Sequence, residues 1–211
     1  MIKALLLIFD PIATWERIFR ARHTLGFILS VYLLPLLLLT SFGEGYGLVH
    51  WGKWRGMNDT PHFFSIGEAA IYEAVQLLLS LTMVFIGAEL VKAIGETFHG
   101  RHTFTQAFTA VAYGLSPFFL LRLGDACARE AYWAPWVIWA IGMILSTGVL
   151  YQGVPRMMEP DPPHAFGLFL MTSLLLSLIT GLVRFVSVLY LQGKFPKLET
   201  FVSGLGQRLP F

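Results

Sequence analysis

The residues that invite a chemical reading are the acids and bases set inside apolar sequence. Glu73 and Glu89 flank the centre of one long apolar stretch, with Gln76 between them, and Arg122 and Arg184 border or lie within two others. At 1.5 Å rise per residue the two glutamates are about 24 Å apart on a helix, less than the roughly 30 Å of a bilayer's hydrocarbon core. Each must snorkel, tilt or face other protein, and charges in such places are functional candidates by default. Lys92, three residues beyond Glu89, is a local partner for it. Depth suggests a second pairing. Glu73 near one end of its helix shares a level with Arg122 and Arg184, and Arg184 is the expected partner because more apolar sequence follows it, whereas Arg122 has Asp125 close by.

Other chemistries find less support. His99 and His102 stand three apart, but two ligands fall short of the three or four a zinc site takes. The six histidines lie in or beside polar breaks, not at mid-helix where haem ligation would need them. Ser116 sits in Gly114-Leu-Ser-Pro, which lacks the second glycine of a nucleophile elbow, and Pro117 removes the amide an oxyanion hole would use. Neither a catalytic residue nor a bound cofactor or metal is expected. The lone Cys127 excludes an internal disulfide.

The elements carrying these residues follow from composition. Of 211 residues, 55% are hydrophobic and 13% charged, and the mean hydropathy is +0.64. Soluble domains carry about 25% charged residues, so this chain's outer surface is built for lipid. A formal net charge of +2 offers nothing to nucleic acid. Five stretches are long and apolar enough to cross a membrane as helices: 24–42, 68–94, 104–123, 134–154 and 166–191. The segments 43–65, 95–103, 124–133 and 155–165 are the polar breaks. Pro35 frees the carbonyl of Val31 and Pro117 that of Tyr113, so the first and third spans should kink. Ser173, Ser177 and Gly181 form a small-residue stripe on the fifth span, with shorter pairs at Gly142/Ser146 and Ala110/Gly114; such stripes let helix backbones approach closely.

Before the first span, Asp10 can cap a helix beginning at Pro11. Ile12, Trp15, Ile18 and Phe19 share one face and Glu16, Arg17 and Arg20 the other. That pattern fits a short amphipathic helix in the membrane interface, or equally an extension packed on the bundle. Lys3, Arg17, Arg20 and Arg22 place the N-terminus in the cytoplasm. Five spans then put the C-terminus outside, against the pull of Lys194, Lys197 and Arg208. The expected fold is an all-α polytopic bundle: an interfacial segment at 1–23, a transmembrane domain at 24–191 and a tail at 192–211.

Three segments resemble the Yip family of five-span membrane proteins, whose eukaryotic members interact with Rab/Ypt GTPases. Phe9-Asp-Pro-Ile-Ala-Thr-Trp-Glu-Arg-Ile resembles the family's Pro-x-x-x-Trp-x-x-Ile segment. Phe98-His-Gly-Arg-His-Thr-Phe-Thr-Gln-Ala-Phe, leading into Ala112-Tyr-Gly-Leu-Ser-Pro, is similar to its second loop and aromatic-Pro third span. Gly153-Val-Pro-Arg-Met-Met, followed by Ala165, is similar to the Gly-Val-Pro end of the fourth span in prokaryotic members. The resemblance implies a five-helix bundle in a prokaryotic cytoplasmic membrane with a cytoplasmic N-terminus. The roughly twenty residues before the first span disfavour GTPase binding. The expected role is a non-enzymatic membrane organiser, or an accessory subunit whose partners are lipid, other membrane proteins or further copies of itself. The alternative is a transporter or channel for a small solute, using the two kinks and Glu73 or Glu89.

Overall fold

The computed structural model describes residues 2–54, 61–98, 103–127 and 133–206. Five helical spans cover Leu25–His50, Ile66–Thr97, Phe104–Asp125, Ala134–Met158 and Pro162–Leu191, each long and apolar enough to cross a membrane. The chain is an all-α polytopic bundle. A two-residue antiparallel ladder, Lys53–Trp54 with Pro61–His62, is the only extended pairing among the described residues.

The spans begin where side chains satisfy the first free amides. In the second span, Ser65 Oγ accepts from Glu68 N (3.2 Å) while Glu68 Oε2 accepts from Ser65 N (2.9 Å). In the third, Thr103 and Gln106 make the same reciprocal pair. Both are capping boxes, which supply acceptors to orphan donors at a helix start. The most buried span is the third: Ala107 through Phe119 is buried throughout, with the first, second and fourth spans packed along it and the fifth packed on the second and fourth. Lipid meets the outward faces, where Leu78, Ile144, Leu178 and Leu182 are more than half exposed.

Two irregularities sit back to back. The first span is wound as a π-helix over Ile28–Leu33, just before Pro35. Widening the turn to an i→i−5 pattern accommodates a proline that cannot donate. The third span breaks between Gly114 and Ser116, ahead of Pro117. Ser116 Oγ donates to the carbonyl of Tyr113 at 2.6 Å, which replaces the amide that Pro117 lacks. Tyr32 of the π-turn hydrogen-bonds Ser116 and stacks on Tyr113 with ring centroids 4.0 Å apart. The two prolines thus produce one shared contact. Ser116 is consumed structurally.

Small residues fix the packing distances. A Cβ on Gly114 would lie 2.3 Å from Leu150 Cδ2, and one on Gly142 would lie 3.2 Å from the Phe118 backbone. Beside the latter, Ser146 Oγ accepts from the Phe118 amide (3.2 Å). Along the fifth span Ser173 is buried, but Ser177 and Gly181 are only half-buried. A Cβ on Gly181 would rest at an ordinary 3.4 Å from Trp139. The face turned fully inward is instead that of Thr172, Leu176 and Thr180.

Ahead of the spans lie two helices, Ile2–Phe9 and Pro11–Ala21. Asp10 Oδ1 accepts from Ala13 N at 3.3 Å, with Pro11 in the first turn. Trp15 is fully buried, and its Nε1 donates to the carbonyl of Val149 at 2.9 Å. Gly153 makes room for it, since a Cβ there would sit 2.2 Å from the indole ring. This amphipathic helix therefore packs into the bundle through Trp15 and Ile18, and Ile12 faces outward at 49% exposure. The first helix, Ile2–Phe9, is an addition to the sequence expectation; its Ala4 and Leu7 are fully buried, and it packs along the Ser116–Leu121 half of the third span. Within 192–211 a further helix, Pro196–Gly206, lies across the start of the second span, with Gly67 and Gly206 in backbone contact.

Candidate functional site

Alternating span directions bring the ends of spans one, three and five together with the starts of spans two and four. At that end the first span runs on as a helix through Gly43-Glu-Gly-Tyr-Gly to His50, and the third reaches Asp125. Those extensions place Glu44 and Asp125 inside the bundle at 1% exposure each. Around them gather Glu73 and Arg184 at 8%, and Arg122 and Lys53 at 7%.

Arg122 is held through every guanidinium nitrogen. Nε and Nη2 donate to Glu44 Oε2 at 3.2 and 2.7 Å, and Nη1 donates to Ser80 Oγ at 3.2 Å. Glu73 Oε2 lies 3.6 Å from Nη2, an ion pair without a hydrogen bond. Arg184 Nη2 donates to Asp125 Oδ1 at 2.5 Å and to the carbonyl of Pro135 at 3.0 Å. Lys53 Nζ donates to the backbone carbonyl of Asp125. Gln76 Nε2 donates to Tyr72 Oη (3.1 Å) and to Ser187 Oγ (2.5 Å). Three acids and three bases, drawn from the first, second, third and fifth spans and the first loop, thus share one buried site.

Formal charge in this site sums to zero, which is the condition under which buried ions are tolerated. Stripping a single ion of water costs several kcal/mol, and a close, hydrogen-bonded counter-ion offsets part of that cost. Arginine suits the role because its planar fork serves several acceptors at once. A second apolar cluster of Leu48, Phe64, Ala69, Tyr72 and Leu191 caps this end, so the network lies between two hydrophobic layers. The space left beside Gln76, Ser80, Arg122 and Arg184 is a cavity of about 20 Å³, enough for about one water molecule.

The structure changes two sequence expectations. Arg184 pairs with Asp125, not with Glu73, because the third span delivers Asp125 to it at 2.5 Å. Arg122 takes Glu44 first and Glu73 at longer range. Glu89 stays outside the network: it lies on the exposed face of the second span, about four and a half turns from Glu73. Nearby Lys92 Nζ is 3.8 Å from Glu96. Glu44 was missed, and Asp125 was set beside Arg122 instead of Arg184, because Gly-Glu-Gly-Tyr-Gly and Gly-Asp-Ala-Cys read as polar breaks. An opposing count of buried arginines without enough acids was the available signal.

Among the described residues no three His, Cys, Asp or Glu side chains gather closely enough to hold a metal ion; His99 and His102 lie outside them. What the network can do is join helices and fix their register.

A family model described as the Yip1 domain matches residues 5–185, from the first helix into the fifth span. No curated protein and no solved structure matches the chain.

Proposed function

Because the chain belongs to the Yip family of integral membrane proteins, we propose that it acts without catalysis, organising the bilayer or serving as an accessory subunit of a larger membrane assembly. We place it in a prokaryotic cytoplasmic membrane with the N-terminus on the cytoplasmic side. The carrying observation is that the buried charges of the network partner one another. Arg122 has no uncommitted nitrogen and Arg184 is joined to Asp125 and Pro135. A transport path needs polar groups that exchange partners with a solute, and here about 20 Å³ remains beside them. Partners in this reading are lipid, other membrane proteins or further copies of the chain.

Reconstitution tests this against transport. Vesicles containing the purified protein should pass protons, sodium and potassium no faster than empty vesicles. A protein-dependent flux that Glu73→Gln abolishes would establish the transporter reading instead. For orientation, a cysteine introduced at Arg20 should be labelled only from the cytoplasmic side and one at Gly204 only from the opposite side.

A further inference from the structure

At the end of the bundle away from the charge network, a cleft of about 390 Å³ opens between the helix Pro11–Ala21, the start of the third span and the end of the fourth. Its floor is mainly apolar, formed by the buried Ile18 and Met157 with Phe19 beside them, and it includes one buried hydroxyl, that of Thr109; Thr105 and Gln106 line the third-span side. Its rim carries Arg22, the imidazole of His23, which Lys3 contacts, and a single acid, Glu159. Arg22 and Glu159 are the two non-glycine residues with positive φ among the described residues, at 42° and 43°. Each follows the last residue of a helix in the left-handed conformation, a position glycine usually fills because side chains are strained there. Two charged residues held in strained backbone on one cleft point to a role for their side chains. Arg22 and Glu159 do not pair with each other within 4.0 Å, and neither makes a side-chain hydrogen bond or ion pair among the described residues.

A cation and an anion kept apart over a mainly apolar floor, at the level where spans leave the hydrocarbon, match a ligand with both charges on one polar head and an apolar body. We infer that the cleft binds a phospholipid with a zwitterionic primary-amine headgroup, of the phosphatidylethanolamine type. Arg22 faces the phosphate and Glu159 the ammonium. A primary ammonium can donate hydrogen bonds to Glu159, which a quaternary one cannot, and a charge-assisted hydrogen bond adds specificity as well as energy. A purely anionic headgroup would meet Glu159 as a like charge. This site lies apart from the network on which the proposed function rests.

The test uses the purified full chain in detergent, with dioctanoyl phosphatidylethanolamine, phosphatidylcholine and phosphatidylglycerol titrated separately and binding read by native mass spectrometry and by thermal shift. The ethanolamine lipid should bind roughly tenfold or more tightly than the other two, the scale of one charged hydrogen bond. Glu159→Gln should erase its advantage over the choline lipid, and Arg22→Gln should weaken all three. Arg22→Gly and Glu159→Gly keep the assay informative if those variants fold poorly. Glycine relieves the backbone strain, so each should melt at or above the wild-type temperature in lipid-free detergent and still bind the ethanolamine lipid less well. Equal binding of the three lipids would overturn the inference. So would a Glu159→Gly variant that retains full selectivity, or an Arg22→Gly variant that binds all three lipids as tightly as the wild type.

Discussion

The two ends of this bundle are held by opposite means. At one end, Trp15, Ile18 and the stacked Tyr32 and Tyr113 fill space beside Gly153 and Gly114, and the polar links between elements are uncharged: the indole hydrogen bond to Val149 and the bond between Tyr32 and Ser116. At the other, Glu44, Glu73, Asp125, Arg122, Arg184 and Lys53 are buried together and neutralise one another. In lipid no hydrophobic effect pulls helices together, so packing and polar bonds must do so. An apolar contact that loses a group relaxes around the gap. A charge that loses its partner stays buried and uncompensated. The network end should therefore respond to single substitutions far more steeply.

The sharpest break is Arg122→Gln. It strands Glu44 and Glu73, and removing one member of a buried pair costs about 3–5 kcal/mol; detergent melting should fall accordingly. Trp15→Phe probes the other end. It keeps most of the ring volume and deletes the bond to Val149, so about 1 kcal/mol should be lost. Glu89→Gln gives the reference for a charge outside the network, with a change within about 0.5 kcal/mol. The smallest effect concerns pH. Burial, and then the neighbouring Lys3, hold the His23 imidazole below its ordinary pKa, with Lys3 Nζ 3.3 Å from Nε2. A histidine with a depressed folded pKa contributes stability above its unfolded value of 6.5 and loses it as pH falls through the folded value. Melting should drop slightly between pH 7.5 and 5.5, and His23→Gln should remove that difference.

Five spans, the Asp10–Pro11 cap and the two proline irregularities were legible, because apolar length and proline chemistry are local properties. The ion pairs were legible only halfway. Depth alone brought Glu73, Arg122 and Arg184 to one level. Choosing partners required Glu44 and Asp125, which glycine-rich composition assigned to loops. Gly43 and Gly45 read as breakers, yet helical glycines here serve close packing: a Cβ on Gly43 would lie 2.4 Å from Leu123 Cδ2, and one on Gly45 would lie 3.2 Å from Glu73 Cγ. Tertiary contact overrode a local propensity of about 1 kcal/mol per glycine. The same override carries the fourth span through Pro155 to Met158. Ile2–Phe9 was too short to rank as a span, and its burial depends on the third span, which no local pattern announces.

Partner choice by Arg184 is the most direct test of the account. Two double-mutant cycles share Arg184→Gln, one with Asp125→Asn and one with Glu73→Gln, each read as thermal stability in detergent. The Asp125 cycle should show a coupling of about 1–3 kcal/mol, as for groups in contact, and the Glu73 cycle a clearly smaller one, since Glu73 shares the network without pairing with Arg184. Coupling between Glu73 and Arg184 with additivity between Asp125 and Arg184 would contradict the network described above.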